Sequence, residues 1–179
     1  KMRKTKITLY IACSIDGFIA TKNHELNWLP SNGDYGYNDF YSEVDCVIMG
    51  RKTFDVVNSF EVDFPYKGKK CIVISHSPGI HHPEVDFFNG NLSDLISTLE
   101  NTGYSNIWLV GGGELIKQFN ELNLIDIYYI TFIPVLLGNG VRLFYESEIK
   151  NELKHLEHKI FADGVISIKY EKKNQYLNS

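Results

Sequence analysis

The sequence predicts an α/β fold, a three-layer sandwich. A mainly parallel central sheet is flanked by about four helices and finished by a C-terminal antiparallel hairpin. Three observations lead there. Apolar runs of strand length alternate with stretches of helical period from "ITLYIAC" to "IDIYYITFIPV". Three of those runs end in glycine-bearing or small polar turns, "VIMGRKTF", "IVISHSPG" and "WLVGGGEL". The chain then closes on "HLEHKIFADGVISIKYEKK", two strand patterns around Asp163-Gly164, read as a two-residue turn.

Each element has its own signal. "ITLYIAC" is the first strand. "DYGYNDFYSEV" reads as a helix with Tyr37, Tyr41 and Val44 on one stripe and Asp34 at its head. "CVIMG" is a strand and "RKTFDVV" opens a helix. "KCIVIS" and "VDFF" are strands. "NLSDLISTLENTG" is a helix with Asn91 as N-cap and Gly103 as its stop. "NIWLV" is a strand, "GELIKQFNEL" a helix, and "IDIYYITFIPV" the long strand before the hairpin.

Composition bounds the function. The 179 residues make one domain, 1–179, and Lys1 ahead of Met2 is read as an appended residue. Residues from about 173 to 179, "KNQYLNS", are expected to fray. A formal charge of -4 argues against a nucleic-acid binder. No run of about 18 apolar residues exists to span a membrane. Cys13, Cys46 and Cys71 lie in or beside apolar runs without CxxC spacing, which indicates buried free thiols in a reducing cytoplasm. No metal is expected. His76, His81 and His82 read as loop, and His155 and His158 as strand residues on opposite faces.

The three turns carry the functional signal. Ligands of such sheets lie beyond the carboxyl ends of the strands. Gly50 permits a close turn before Arg51, Lys52 and Thr53, whose helix start attracts an anion. Ser75, His76 and Ser77 offer small donors. Gly111, Gly112 and Gly113 lack Cβ, so a bulky ligand could lie on the backbone. Three such turns on one side suit a ligand with several phosphates, although neither GxGxxG nor a P-loop is present.

Taken in order, "IACSIDGFIA", "VIMGRKTF", "IVISHS", "IWLVGGGELIKQF" and "IDIYYITFIPVLLGNG" resemble the signature segments of the dihydrofolate reductase superfamily. That superfamily includes the reductase domain of the bifunctional riboflavin-biosynthesis deaminase/reductase. The zinc deaminase signature, H-x-E with P-C-x-x-C, is absent from these 179 residues, and a standalone reductase-like domain is expected. The resemblance spans nearly the whole chain and implies a dihydrofolate reductase-like fold with NADPH as hydride donor. By motif, Ala12, Ile19 and Ala20 would line the nicotinamide. Gly50, Arg51, Lys52 and Thr53 would hold the pyrophosphate and 2′-phosphate region, with Ser75, His76 and Ser77 flanking the adenosine. Gly111, Gly112, Gly113 and Glu114 would cradle the pyrophosphate.

The resemblance also implies the substrate side. Folate reductases carry a carboxylate at the start of the first helix, and counting back from "VIMG" lands on Asp34. A carboxyl at the head of that stripe would be desolvated, its pKa raised, and could help place a proton on a ring nitrogen. The competing reading is a helix-terminal acid that satisfies the dipole. Asp39 is rotated off the stripe, Asp45 lies at the helix exit, and Asp16 forms a turn with Gly17. Thr131 matches the family threonine that bonds the carboxylate, and Trp28 a tryptophan near the same pocket. Tyr10, Asn38, Tyr41 and Lys69 are the expected substrate contacts. Asn38 stands where the family stacks a phenylalanine, and Lys69 replaces the arginine that clamps the folate tail, losing the bidentate fork.

The expected function is therefore an NADPH-dependent reductase of a small heterocycle, dihydrofolate- or pteridine-like. "PVLLGNG" resembles the riboflavin-pathway reductases and keeps reduction of 5-amino-6-(5-phosphoribosylamino)uracil open. A nucleotide-binding module without chemistry is the third reading. A small-molecule substrate, no nucleic acid, no membrane and a homodimer through the C-terminal sheet edge complete the expectations.

Overall fold

The computed structural model describes residues 3–60, 62–77 and 81–173, so Lys1 and the expected frayed end beyond Lys173 lie outside the described residues. Its strands are β1 (Lys6–Ser14), β2 (Phe18–Ala20), β3 (Cys46–Gly50), β4 (Lys70–Ile74) and β5 (Asp86–Phe88), then β6 (Asn106–Gly111), β7 (Ile127–Ile133), β8 (Val141–Arg142), β9 (Leu153–Ile160) and β10 (Ile166–Lys172). The helices are α1 (Tyr37–Glu43), α2 (Arg51–Asn58), α3 (Leu92–Asn101) and α4 (Gly113–Glu121).

Eight strands form one sheet in the order β5-β4-β3-β6-β1-β7-β10-β9. The first six run parallel, and β10 and β9 are antiparallel additions at one edge. Strand alternation sorts the side chains into two layers. Ile7, Leu9, Ile48, Ile107 and Leu109 pack with Leu95, Leu99, Ile116 and Phe119 of α3 and α4. Val47, Met49, Val73 and Trp108 face the other way, against Phe54 of α2 and the aromatic ring set of α1. The expected three layers are thus present, each held by its own apolar cluster.

Local rules act as read for α3. Asn91 Oδ1 accepts from the Asp94 amide, and Gly103 at φ 98 lets the chain leave the helix. Cys13, Cys46 and Cys71 are free and buried.

Three details differ from the sequence reading. Phe161 and Val165 pair through Phe161 N–H to Val165 O, and Phe161 O accepts from Gly164. Ala162 and Asp163 are therefore the central pair, and Gly164 at φ 87 is the left-handed residue of a three-residue loop. A bulge opposite Lys169 and Tyr170 shifts the register of β9. It turns His155 and His158 to the same face, with Nε2 and Nδ1 3.0 Å apart, rather than to opposite faces. Finally, β2 and β8 form a small second sheet for which the sequence reading had no element.

Candidate functional site

The strand order reverses around β1, so the crevice at the carboxyl ends of β1, β3 and β6 is the topological switch point. Two helix starts meet there. A Cβ on Gly50, before α2, would stand 3.7 Å from both Gly111 O and Gly112 N. A Cβ on Gly112, before α4, would stand 3.5 Å from Thr53 Oγ1. No side chain caps either helix, whereas α3, away from this crevice, has its Asn91 cap. Uncapped first-turn N–H groups of two adjacent helices point toward one place, an arrangement with affinity for an anionic group.

The residues around these starts fall where the motif reading put them in the chain, with differing exposure. Lys52, Glu114, His76 and Ser77 are exposed, Arg51 and Thr53 half-buried, and Ser75 buried. Arg51 Nε donates to Asp55 at 2.9 Å, and its guanidinium lies 5.6 Å from the Phe87 ring centre. Ser75 Oγ donates to Ser77 O at 3.0 Å, closing its own small turn. His76 Nδ1 lies 3.3 Å from Asn89 Oδ1.

The three glycines serve three ends. Gly111 sits at φ 131, where a side chain would be strained, and precedes a cis peptide to Gly112. Gly112 has a conformation open to any residue, φ -86, and borders the crevice. Gly113 is buried against the end of β8 and the segment that follows it, where a Cβ would meet Arg142 O and Tyr145 Cε1 at 2.5 Å. Internal packing, not ligand access, excludes a side chain at Gly113.

The loop after β7 is fixed to the first strands. Asp16 accepts from Leu137 and Gly138 amides at 3.1 and 2.8 Å, and the hydrogen bond from Ser14 holds its carboxyl below the usual range. Gly140, at φ 143, lies against the Ala20 carbonyl with no room for a Cβ. That contact is the physical reason for glycine in "PVLLGNG". It seats β8 on β2, which carries Ile19 and Ala20.

On the substrate side the outcome is mixed. Ala12, Thr131 and Ser167 form one row across β1, β7 and β10, on the α1 side of the sheet. Thr131 Oγ1 and Ser167 Oγ are 2.8 Å apart and buried, so the threonine hydroxyl is paired with a serine and not with a carboxylate. Asp34 is exposed, which removes the expected desolvation. Its carboxylate accepts from the Gly36 amide at 3.1 Å and the Asn38 amide at 3.0 Å, the competing helix-terminal role. The inward face of α1 includes Phe40, stacked on Tyr10 at 4.1 Å, beside Tyr37 and Tyr41. Burial pushes the Tyr10 phenol well up and that of Tyr37 up to about 12, so both are neutral hydrogen-bond donors near pH 7.

Asn38 is exposed. Lys69 Nζ donates to Val44 O, the C-cap of α1, at 2.5 Å and sits 4.4 Å from the Tyr41 ring centre. Its charge is spent on the helix end. Trp28 is half-buried, and its Nε1–H is buried without a partner among the described residues. A ligand acceptor or a water would complete it.

The sequence reading missed the cleft between α1 and the hairpin, about 470 Å³ in volume. Lys6, Lys159 and Lys169 stand there with Asp39, Glu43 and Glu157, over a floor that includes Phe40 and Tyr129. Three cations balanced by three carboxylates give no net attraction for a phosphate. The spacing of Tyr37, Phe40, Tyr41 and Val44 could have revealed the full inward face of α1. Among the described residues no group of three potential metal ligands exists, and no helix is long and apolar enough to cross a membrane.

Comparison with known proteins supplies the family. The model of the RibD C-terminal domain matches residues 5–167. The uncharacterized protein YwjB of Bacillus subtilis is 40% identical over 164 residues, 89% of this chain and 94% of that protein. A crystal structure from Shewanella sp. PV-4, provisionally assigned to riboflavin biosynthesis, superposes with a TM-score of 0.87 at 33% identity, covering 95% of this chain and 100% of the other. Enterococcus faecalis dihydrofolate reductase, solved in complex with NADP(H) and RAB-propyl, shares the fold at a TM-score of 0.70 and 14% identity, over 96% and 98% of the two chains.

Proposed function

The chain belongs to the RibD C-terminal domain family, and on that premise we propose that it is an NADPH-dependent reductase delivering hydride to a small pteridine-like heterocycle. Membership of the family supports a reductase of the riboflavin-pathway or dihydrofolate reductase type. One observation carries the cofactor half: two uncapped helix starts, α2 and α4, meet across glycine backbone at the switch point of the sheet. The group that fits is a pyrophosphate, with Thr53 and the α2 and α4 amides as donors and Arg51 beside them as the phosphate-matching fork. Bound NADPH would supply the hydride.

The protein's own part is to orient and protonate. Ala12 leaves a flat floor on β1, and Thr131 offers a buried hydroxyl next to it. Trp28 Nε1–H needs an acceptor. In this reading Asp34, though exposed, passes a proton to a ring nitrogen through solvent while Thr131 holds the ring.

NADPH fluorescence titration tests the cofactor half, and absence of binding ends the proposal. NADPH oxidation with dihydrofolate, repeated in Asp34→Asn, tests the chemistry, and turnover lost in the variant is the expected result. The family match itself favours a second substrate, 5-amino-6-(5-phosphoribosylamino)uracil, and turnover of that compound alone would select it. A nucleotide-binding module without chemistry would bind NADPH and turn over neither compound. The capping role of Asp34 and the engaged Lys69 are what favour it.

We also propose that the protein works in the cytoplasm, where its three buried thiols stay reduced, and as a homodimer. The edge strand β9 supports the pairing, with Leu156 40% and Ile160 73% exposed. A monomer by light scattering would exclude it.

A further inference from the structure

The sequence reading gave the β9–β10 hairpin no part in the site, yet two of its side chains reach Thr131 and the neighbour of Asp34. Ser167 bonds Thr131 from the adjoining strand. Asp163, at the hairpin tip, accepts the Tyr35 hydroxyl hydrogen bond across a separation of 128 residues. The Tyr35 ring packs edge-on to Phe161 at 5.0 Å and 81°. Asp163 is itself fixed by the turn, its Oδ1 accepting from the Val165 amide at 3.3 Å.

Tyr35 is the neighbour of Asp34, and its backbone is unusual. It sits at φ 52, followed by Gly36 at φ 87, so two successive residues are left-handed. For a bulky residue that conformation persists where the surroundings impose it. A local turn closes around it, Tyr37 N–H donating to Asp34 O at 3.0 Å, within a segment, residues 21–36, that contains no helix or strand. The hairpin tip adds a long-range clamp on the Tyr35 side chain to that local turn. With Tyr35 held, the Asp34 carboxylate faces the Gly36 and Asn38 amides.

We propose that the β9–β10 hairpin is a positioning arm for the substrate end of the site. Asp163 holds Tyr35 and through it the backbone that carries Asp34, while Ser167 sets the hydroxyl direction of Thr131. Each hydroxyl of the Thr131–Ser167 pair has one hydrogen. If Ser167 donates, the Thr131 hydrogen is free for a substrate acceptor, and if Thr131 donates, its lone pairs face the substrate. The contacts of the arm, Asp163 with Tyr35 and Ser167 with Thr131, lie apart in the chain from the α2 and α4 starts, so the arm tunes substrate handling rather than phosphate binding. Tyr35, Asp163 and Ser167 are positioning residues, and the assignment rests on the reductase reading above.

The test compares Tyr35→Phe, Asp163→Asn, their double variant and Ser167→Ala, with His158→Ala as a hairpin control on the opposite face. In the first two the substrate KM rises about three- to ten-fold, the loss of one hydrogen bond. The double variant is no worse than either single one. Ser167→Ala lowers kcat, and Thr131→Ser in that background does not restore it. NADPH affinity stays at the wild-type value in all of them. Additive effects in the double variant, or NADPH affinity falling in parallel, overturns the arm. A second readout needs no turnover. Amide hydrogen exchange at Gly36 and Asn38 must speed up in Asp163→Asn and not in His158→Ala. Unchanged exchange overturns the arm even if the protein proves to be a reductase, and faster exchange without NADPH binding supports the arm while removing the reductase reading.

Discussion

Replacing Gly113 and Gly112 one at a time separates two explanations of "GGG". In Gly113→Ala the new Cβ meets a backbone oxygen, Arg142 O, and the Tyr145 ring edge, both at 2.5 Å. A carbon–oxygen contact relaxes only near 3.2 Å or beyond, so the end of β8 and the residues after it must shift by roughly 1 Å. Overpacking of this kind costs about 1–3 kcal/mol. Gain of helix propensity at the start of α4 returns at most about 1 kcal/mol. A mid-range cost less that return leaves a net loss of about 1 kcal/mol, which lowers Tm by roughly 2–4 °C in a domain of this size. In Gly112→Ala the Cβ finds Thr53 Oγ1 at 3.5 Å, an ordinary contact, and φ -86 suits any residue. Stability stays within about 0.5 kcal/mol of wild type. The methyl group, however, fills the space between the two helix starts, and NADPH affinity drops about ten-fold or more. The assays are thermal unfolding by circular dichroism and NADPH fluorescence titration. A Gly113→Ala protein that melts like wild type, or a Gly112→Ala protein that binds NADPH undiminished, would refute the reasoning.

Three further outcomes are expected. Burial pushes the Cys13, Cys46 and Cys71 thiols from an ordinary 9.0 up to about 12. A thiol reagent should therefore label none of them in the native protein at mildly alkaline pH and all three after denaturation. Because the fold favours the protonated thiol, its stabilising share is full below 9.0 and is lost as pH rises toward 12, so the urea midpoint should hold to the lower value and then fall. Asp45 accepts from Ser105 N at 2.8 Å and Asn106 N at 3.1 Å, joining the starts of β3 and β6. Asp45→Ala should cost about 1–2 kcal/mol in urea unfolding, and a smaller loss would mean that water replaces the carboxylate. Lys69→Met should lose about 1 kcal/mol of stability through Val44 O and the Tyr41 ring while substrate KM stays unchanged, and a KM rise without destabilisation would return Lys69 to the substrate.

The sheet was readable because its signals are local. Runs such as "CVIMG" and "KCIVIS" are apolar on both faces, as strands covered by helices on two sides must be. Asn91 and Gly103 mark the ends of α3 by rules that act within a few residues. Other features were hidden for equally physical reasons. The strands β2 and β8 are three and two residues long, too short for a period to show. The bulge in β9 carries no glycine to announce it, so His155 and His158 were placed by plain alternation. In "FADGV" the glycine takes the left-handed position after the turn and not its second central position.

The candidate site divides along the same line. A phosphate cradle is made of backbone, and the residues that free backbone, glycines at helix starts, sit next to each other in sequence. Even there the motif overstates its unity. Gly111 answers to a positive φ, Gly112 to the crevice beside Thr53, and Gly113 to the Arg142 carbonyl. The substrate half is made of side chains held by partners far along the chain. Counting back from "VIMG" assumes that the first helix keeps its start, but α1 begins at Tyr37, and Asp34 becomes the acid that caps it. Thr131 pairs with Ser167, 36 residues away, and Tyr35 with Asp163, 128 residues away. No pattern in a local window encodes either contact. On the reductase reading, substrate handling then depends on how the late hairpin closes on the early loop, through Tyr35–Asp163 and Thr131–Ser167, while the two helix starts are built independently of it.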